Sequence, residues 1–171
     1  MKNIKNISIA AALVVFNVSI AQVAIGKQVV DGASTVLDFN NASGNTKGLI
    51  LPATSGLPTG TLVNGTFVFD VTDNKIKVYE NDVWKPLSDA GNSSAVVANN
   101  SVEEGKGVII GASSSTADGV LVLESTDKAM VLPQIATPHV NVKSPYPGMM
   151  CYDTTSKTLA IFDGVVWNYW K

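Results

Sequence analysis

The chain has 171 residues, with twelve lysines and no arginine set against fourteen acidic residues, one histidine and one cysteine. Without arginine it lacks the side chain that reads phosphates and bases bidentately, which argues against a nucleic-acid partner. Cys151 alone cannot form an internal disulfide, and His139 alone, with no cysteine pair, leaves a zinc ion without a ligand set. Charge is sparse, and Ser, Thr, Asn and Gly fill the polar positions.

The first element is a predicted secretory signal peptide over residues 1–21. Lys2 and Lys5 precede an apolar run from Ile7 to Phe16, and Ser19 and Ala21 then form a small-x-small site. The run is short for a membrane span. Cleavage after Ala21 would leave Gln22 first, and ten lysines against fourteen acidic residues. No cysteine follows the cleavage point, so no lipid anchor is expected there.

The remaining chain divides into a first unit (22–87), a Ser/Asn/Gly-rich linker or covering loop (88–106) and a second unit (107–171). The first unit reads as short strands at Val36–Phe39 and Lys47–Leu51, the latter stopped by Pro52. A loop rich in Ser, Gly, Pro and Thr (54–65) follows. Phe67–Val71, Ile76–Tyr79 and Val83–Leu87 then form a three-stranded meander, with turn chemistry at Thr72-Asp73-Asn74 and at Asn81-Asp82. In the linker, a short helix around Ser94 to Val102 is conceivable, without a convincing apolar stripe. The second unit resumes at Val108-Ile109-Ile110 and Val120–Leu123. Its meander is expected at Met149–Asp153, Thr158–Phe162 and Val165–Tyr169, with Asp163-Gly164 as a hairpin signal.

The two units are repeats. Phe69, Asp70, Ile76, Val78, Tyr79 and Trp84 recur as Tyr152, Asp153, Leu159, Ile161, Phe162 and Trp167 at a constant offset of 83. One supersecondary unit is therefore used twice, and the expected fold is mainly all-β: two tandem units of short strands, each ending in an antiparallel meander, with long loops.

No catalytic motif is present: there is neither a nucleophile elbow nor a P-loop. The aspartates fall at strand ends and turns, where local hydrogen bonding explains them. Hard oxygen ligands cluster at Asp70–Asn74, but Ser156 and Lys157 stand at the corresponding positions of the second unit, which favours the turn over calcium. No catalytic residue, cofactor or metal is expected. Cys151 reads either as a thiol for an intermolecular bridge or as a small buried apolar side chain on a strand, with the second preferred. The candidate interface or ligand residues are Trp84, Trp167, Tyr169 and Trp170. Repetition of Trp84 as Trp167 favours sheet packing for that pair, and Trp170 is the better ligand or interface candidate.

The string Leu37-Asp38-Phe39, Lys47-Gly48-Leu49-Ile50-Leu51-Pro52, Phe67-Val68-Phe69-Asp70, Val78-Tyr79 and Trp84 resembles a repeat of uncharacterised secreted proteins of Bacteroidota. Similar strings occur in fibre-like and tail-fibre-like proteins. The second unit departs from the pattern at Ala129, where the repeat has glycine. The resemblance implies a cell-surface or secreted structural or adhesive part, with a trimer among its expected forms. The expected partners are thus protein: a second copy of the chain in a homo-oligomer, or a cell-envelope component in a surface complex. A carbohydrate-binding module using exposed aromatics is the alternative, with a glycan as its ligand. The expected location is extracellular or on the outer-membrane surface, with the periplasm left open.

Overall fold

The computed structural model describes residues 22–97, 99, 101 and 107–171. The expected signal peptide and part of the expected linker lie outside the described residues. Among those described, the chain is almost entirely β. Its strands are β1 (Val23–Ile25), β2 (Thr35–Phe39), β3 (Leu49–Ile50), β4 (Ala53–Thr54), β5 (Thr66–Asp70), β6 (Lys75–Glu80) and β7 (Val83–Pro86) in the first unit. The second unit contributes β8 (Val108–Ile110), β9 (Leu121–Leu123), β10 (Ala129–Val131), β11 (Gln134–Ile135), β12 (Met149–Asp153), β13 (Thr158–Phe162) and β14 (Trp167–Trp170). One helical turn, α1 (Pro138–Asn141), holds His139.

The two meanders are the same object built twice. Phe69 pairs with Ile76 and Tyr79 with Trp84 in the first; Tyr152 pairs with Leu159 and Phe162 with Trp167 in the second. A short parallel strand joins each: Phe69 N–H donates to the Pro52 carbonyl and Tyr152 N–H to the Pro133 carbonyl, both at 2.9 Å. Proline has no N–H of its own, but its carbonyl still accepts at the sheet edge. The first turns match as well, with Asn74 at φ 58° and Lys157 at φ 61°. Asp70 caps the first turn through Thr72 N–H (2.9 Å) and Asp153 caps the second through Thr155 N–H (2.8 Å).

The units differ at the last connection. Asn81 and Asp82, both at positive φ, make a two-residue hairpin turn, whereas the second unit uses residues 163–166, so β14 starts at Trp167 rather than at Val165. The cause is Asp163. Its buried carboxylate accepts from Val165 N–H, Val166 N–H and Asn168 Nδ2. Asp163 N–H still donates to the Val166 carbonyl, as befits the equivalents of Glu80 and Val83, but Val166 N–H is taken by the side chain and the regular ladder begins at Trp167. A Cβ at Gly164, which has φ 97°, would stand 1.9 Å from the Asn92 carbonyl oxygen, so this glycine serves both the turn and a close approach.

The two units share one core. Leu51, Phe69 and Ile76 of the first pack with Met150 and Ile161 of the second. A second cluster, Ile135, Val142, Met149, Cys151 and Ala160, lies on the other face of β12 and β13. Val142 reaches it from the segment that follows α1. Strands also cross between units. β3 pairs antiparallel with β12, and β10 pairs parallel with β2. With β1 on its other side, β2 is central and buried. Its Asp38 Oδ2 is held by Lys27 Nζ at 2.8 Å and Asp31 N–H at 2.7 Å, while Oδ1 is buried without a partner among the described residues.

The described part of the linker is a covering loop, not a spacer. Gly91 N–H donates to the Asn74 carbonyl and Asn92 N–H to the Asp163 carbonyl, tying the turn regions of the two units together. Val96 packs against the shared core. Residues Ser94–Val97 form a turn and extended chain rather than the start of a helix.

Candidate functional site

The four candidate aromatics do not form one exposed row. Trp84 is half-buried against Tyr79, with ring centroids 5.3 Å apart at 60°. Trp167 is half-buried against Phe162, at 5.5 Å and 47°, and also packs on the second core cluster. Both face partners directly across the third strand of their meander, where side chains on a pleated sheet meet. Each tryptophan therefore covers its own hairpin.

Because Trp167 reaches the core cluster and Trp84 does not, their truncations should differ. Trp167→Ala is expected to lower the unfolding free energy by about 2–3 kcal/mol, below the full-burial range because the ring is only half-buried. Trp84→Ala should cost about 1–2 kcal/mol. Urea titration followed by far-UV circular dichroism checks the order; a larger loss from Trp84→Ala would contradict this packing.

Trp170 and Tyr169 have distinct roles. Trp170, though 46% exposed, donates its indole N–H to the Leu87 carbonyl at 2.9 Å, joining the end of β14 to the first unit. Leu87 is its own repeat equivalent, at the offset of 83. Tyr169 Oη lies 2.8 Å from His139 Nδ1. Burial, then the nearby Asp153 charge, pushes the Tyr169 phenol above its ordinary pKa. His139, Pro145, Phe162, Trp167 and Tyr169 border a shallow, open and partly apolar groove. Sequence reasoning could not place His139 here, because it meets Tyr169 only through α1, thirty residues away.

The acidic and thiol groups are structural. Asp70 and Asp73 are bridged by Lys77 Nζ, at 2.8 and 2.7 Å, so the protein's own ammonium occupies the space between these carboxylates. Burial opposes ionisation of Asp70, but the hydrogen bond from Lys77, with those at Thr72, outweighs it and holds the carboxyl below its usual range. The Cys151 thiol is wholly buried; burial first, and the Asp153 charge second, push its pKa up to about 12. It is an apolar core side chain, without the thiolate that reactivity requires.

Residues 109–171 match a family described as "Phage tail like trimerisation region". The match lies within the second repeat unit and runs from within β8 through the meander. No curated protein and no solved structure matches the chain. The all-β two-unit fold and this match together mark a structural, self-associating protein.

Proposed function

We propose that the protein works as a homotrimeric structural part of a fibre-like assembly outside the cell, exported after removal of residues 1–21. The similarity of residues 109–171 to a phage-tail-like trimerisation region carries this reading. The sequence likeness to secreted Bacteroidota repeat proteins and the signal-peptide pattern add the exported location. Adhesion, or docking to an envelope component, is the process that such a trimer would serve. The low charge suits a surface that is covered by copies of itself, since few charges need desolvating at the contact.

The direct test is light scattering on purified residues 22–171. The expected mass is three times that of one chain, and a monomer that stays monomeric at high concentration would overturn the trimer. Intact-mass analysis of exported material should find Gln22 at the N-terminus; a species starting at Met1 would overturn the processing.

A further inference from the structure

The repeat permits a comparison that a single domain would not: each strand edge in one unit has a counterpart in the other. In the second unit, the start of β12 is paired on its outer side with β3 of the first unit, Met149 with Ile50 and Met150 with Leu49. In the first unit, the equivalent start of β5, Thr66-Phe67, has no strand on that side among the described residues, because β4 reaches only Phe69 and Asp70. Phe69 N–H and Val71 N–H point outward to Pro52 and Thr54. By alternation, Phe67 directs its N–H and C=O the same way, to no strand.

The other crossing pair shows the same asymmetry. β2 is flanked by β1 and by β10 of the second unit. Its counterpart β9 is flanked, among the described residues, by β8 alone, with no strand on its far edge. The consequence is visible in burial: Leu37 on β2 is 0% exposed, and its counterpart Leu121 is 40% exposed. β3 and β10 are the counterparts that do the crossing, and among the described residues each is a terminal strand with one edge unused.

These four open edges are complementary. We infer that the second unit of one copy docks on the first unit of the next, repeating the contact that the two units make within a chain. β10 of one copy adds antiparallel to the start of β5 in its neighbour, Val131 opposite Thr66 and Met130 opposite Phe67. At the same time β3 of the neighbour adds parallel to β9, Leu49 beside Leu121. Both pairings follow from the observed β3–β12 and β10–β2 registers when Leu49-Ile50 is matched to Met130-Val131 by the Leu-Pro that follows each (offset 81), Leu37 to Leu121 (offset 84), and Met149-Met150 to Thr66-Phe67 (offset 83). The contact is heterologous, and such contacts form rings where the rotation closes and filaments where it does not; this inference rests on the trimer proposed above for closure and for the number of copies.

The composition of the edges supports the same occupant. β3, β9, β10 and the start of β5 read Leu-Ile, Leu-Val-Leu, Ala-Met-Val and Thr-Phe, with no charge and no proline. Exposed strands of that kind attract another strand unless they are blunted. The outer edge of the first meander is blunted: β7 carries Pro86 and Lys85, the latter ion-paired with Glu80 at 2.8 Å. In the first unit, protection is thus present on the outer edge, β7, and absent from the edges whose counterparts are paired; the outer strand of the second meander, β14, carries neither proline nor charge.

The test uses a designed cross-link. In the observed pairing, Leu51 N–H donates to the Gly148 carbonyl, so the neighbouring pair Met149/Ile50 is of the non-hydrogen-bonded kind, with closely spaced Cα atoms. Its intermolecular equivalent, Thr66 opposite Val131, therefore suits a disulfide. Thr66→Cys with Val131→Cys, in a Cys151→Ala background, should oxidise to covalent species that stop at three chains on a non-reducing gel. Each single-cysteine chain, whose thiol faces Val131 or Thr66 of its neighbour, should stay a single chain. Particles that scatter as trimers but run as monomers would overturn the edge pairing and leave the trimer standing. A ladder running past three would uphold the edge pairing and overturn the trimer. Independently, Leu121→Lys should shift the scattering mass from trimer to monomer with an unchanged circular-dichroism spectrum; an unaltered trimer would overturn the role of β9.

Discussion

Phe69→Ala is expected to reduce the unfolding free energy by about 3–5 kcal/mol, the range for emptying a fully buried aromatic site. Phe69 is 0% exposed and sits where the two units meet, against Leu51 and Ile76 on its own side and Met150 and Ile161 on the other. A loss of that size is a large share of the stability of an ordinary domain. The shared cluster makes a further claim. Both units should unfold together, so the transition should move as one when followed by the fluorescence of Trp84 and of Trp167 in separate single-tryptophan variants. Chain concentration must be held constant, because association shifts the midpoint. Two separated transitions would show that the units are independent folding bodies.

Asp153→Ala should cost about 3 kcal/mol and should remove part of the protein's sensitivity to acid, which Asp70 shares. The Asp153 carboxylate is 2% exposed and accepts from Thr137 N–H, Thr155 N–H and the Ser156 hydroxyl at 2.7–2.9 Å. Truncation leaves those donors without their acceptor inside the protein, and each stranded group costs about 1–3 kcal/mol, partly recovered by water. Burial works against the charged form, but the hydrogen bonds from Ser156, Thr155 and Thr137 outweigh it and depress the pKa. A depressed carboxyl stabilises the fold above the unfolded value, near 3.9, and that stabilisation is lost as pH falls through the folded value beneath it. The parent should therefore lose stability below about pH 4, and Asp153→Ala should show a shallower fall over the same window. Urea midpoints measured at pH 7 and pH 3 decide it; equal slopes would mean that other carboxylates govern the acid response.

Much of this fold was legible because repetition is visible without a structure. Six positions at one offset located both meanders, and period-two alternation of Phe67, Phe69 and Val71 identified the face that enters the shared core. Asp70 and Asp153 were readable as turn residues because a short carboxylate can reach its own backbone two residues on. Cys151, between Met150 and Tyr152 on β12, was readable as an apolar side chain. The start of β14 was not, because the dipeptide Asp163-Gly164 indicates the turn while the Asp163 carboxylate takes Val166 N–H out of the ladder.

The sequence by itself determined the repeat, the all-β class and the residues that face inward within each hairpin, since these depend on spacing along one strand or across one turn. Only the tertiary structure decided that β3 and β10 exchange between units, that residues 88–97 clamp both turn regions, that Trp170 binds the Leu87 carbonyl, and that His139 meets Tyr169. Each of those contacts joins residues far apart in the chain. A two- or three-residue strand such as Leu49–Ile50 carries almost no periodic signal of its own, and its pairing partner is selected by which edge the packed core leaves within reach.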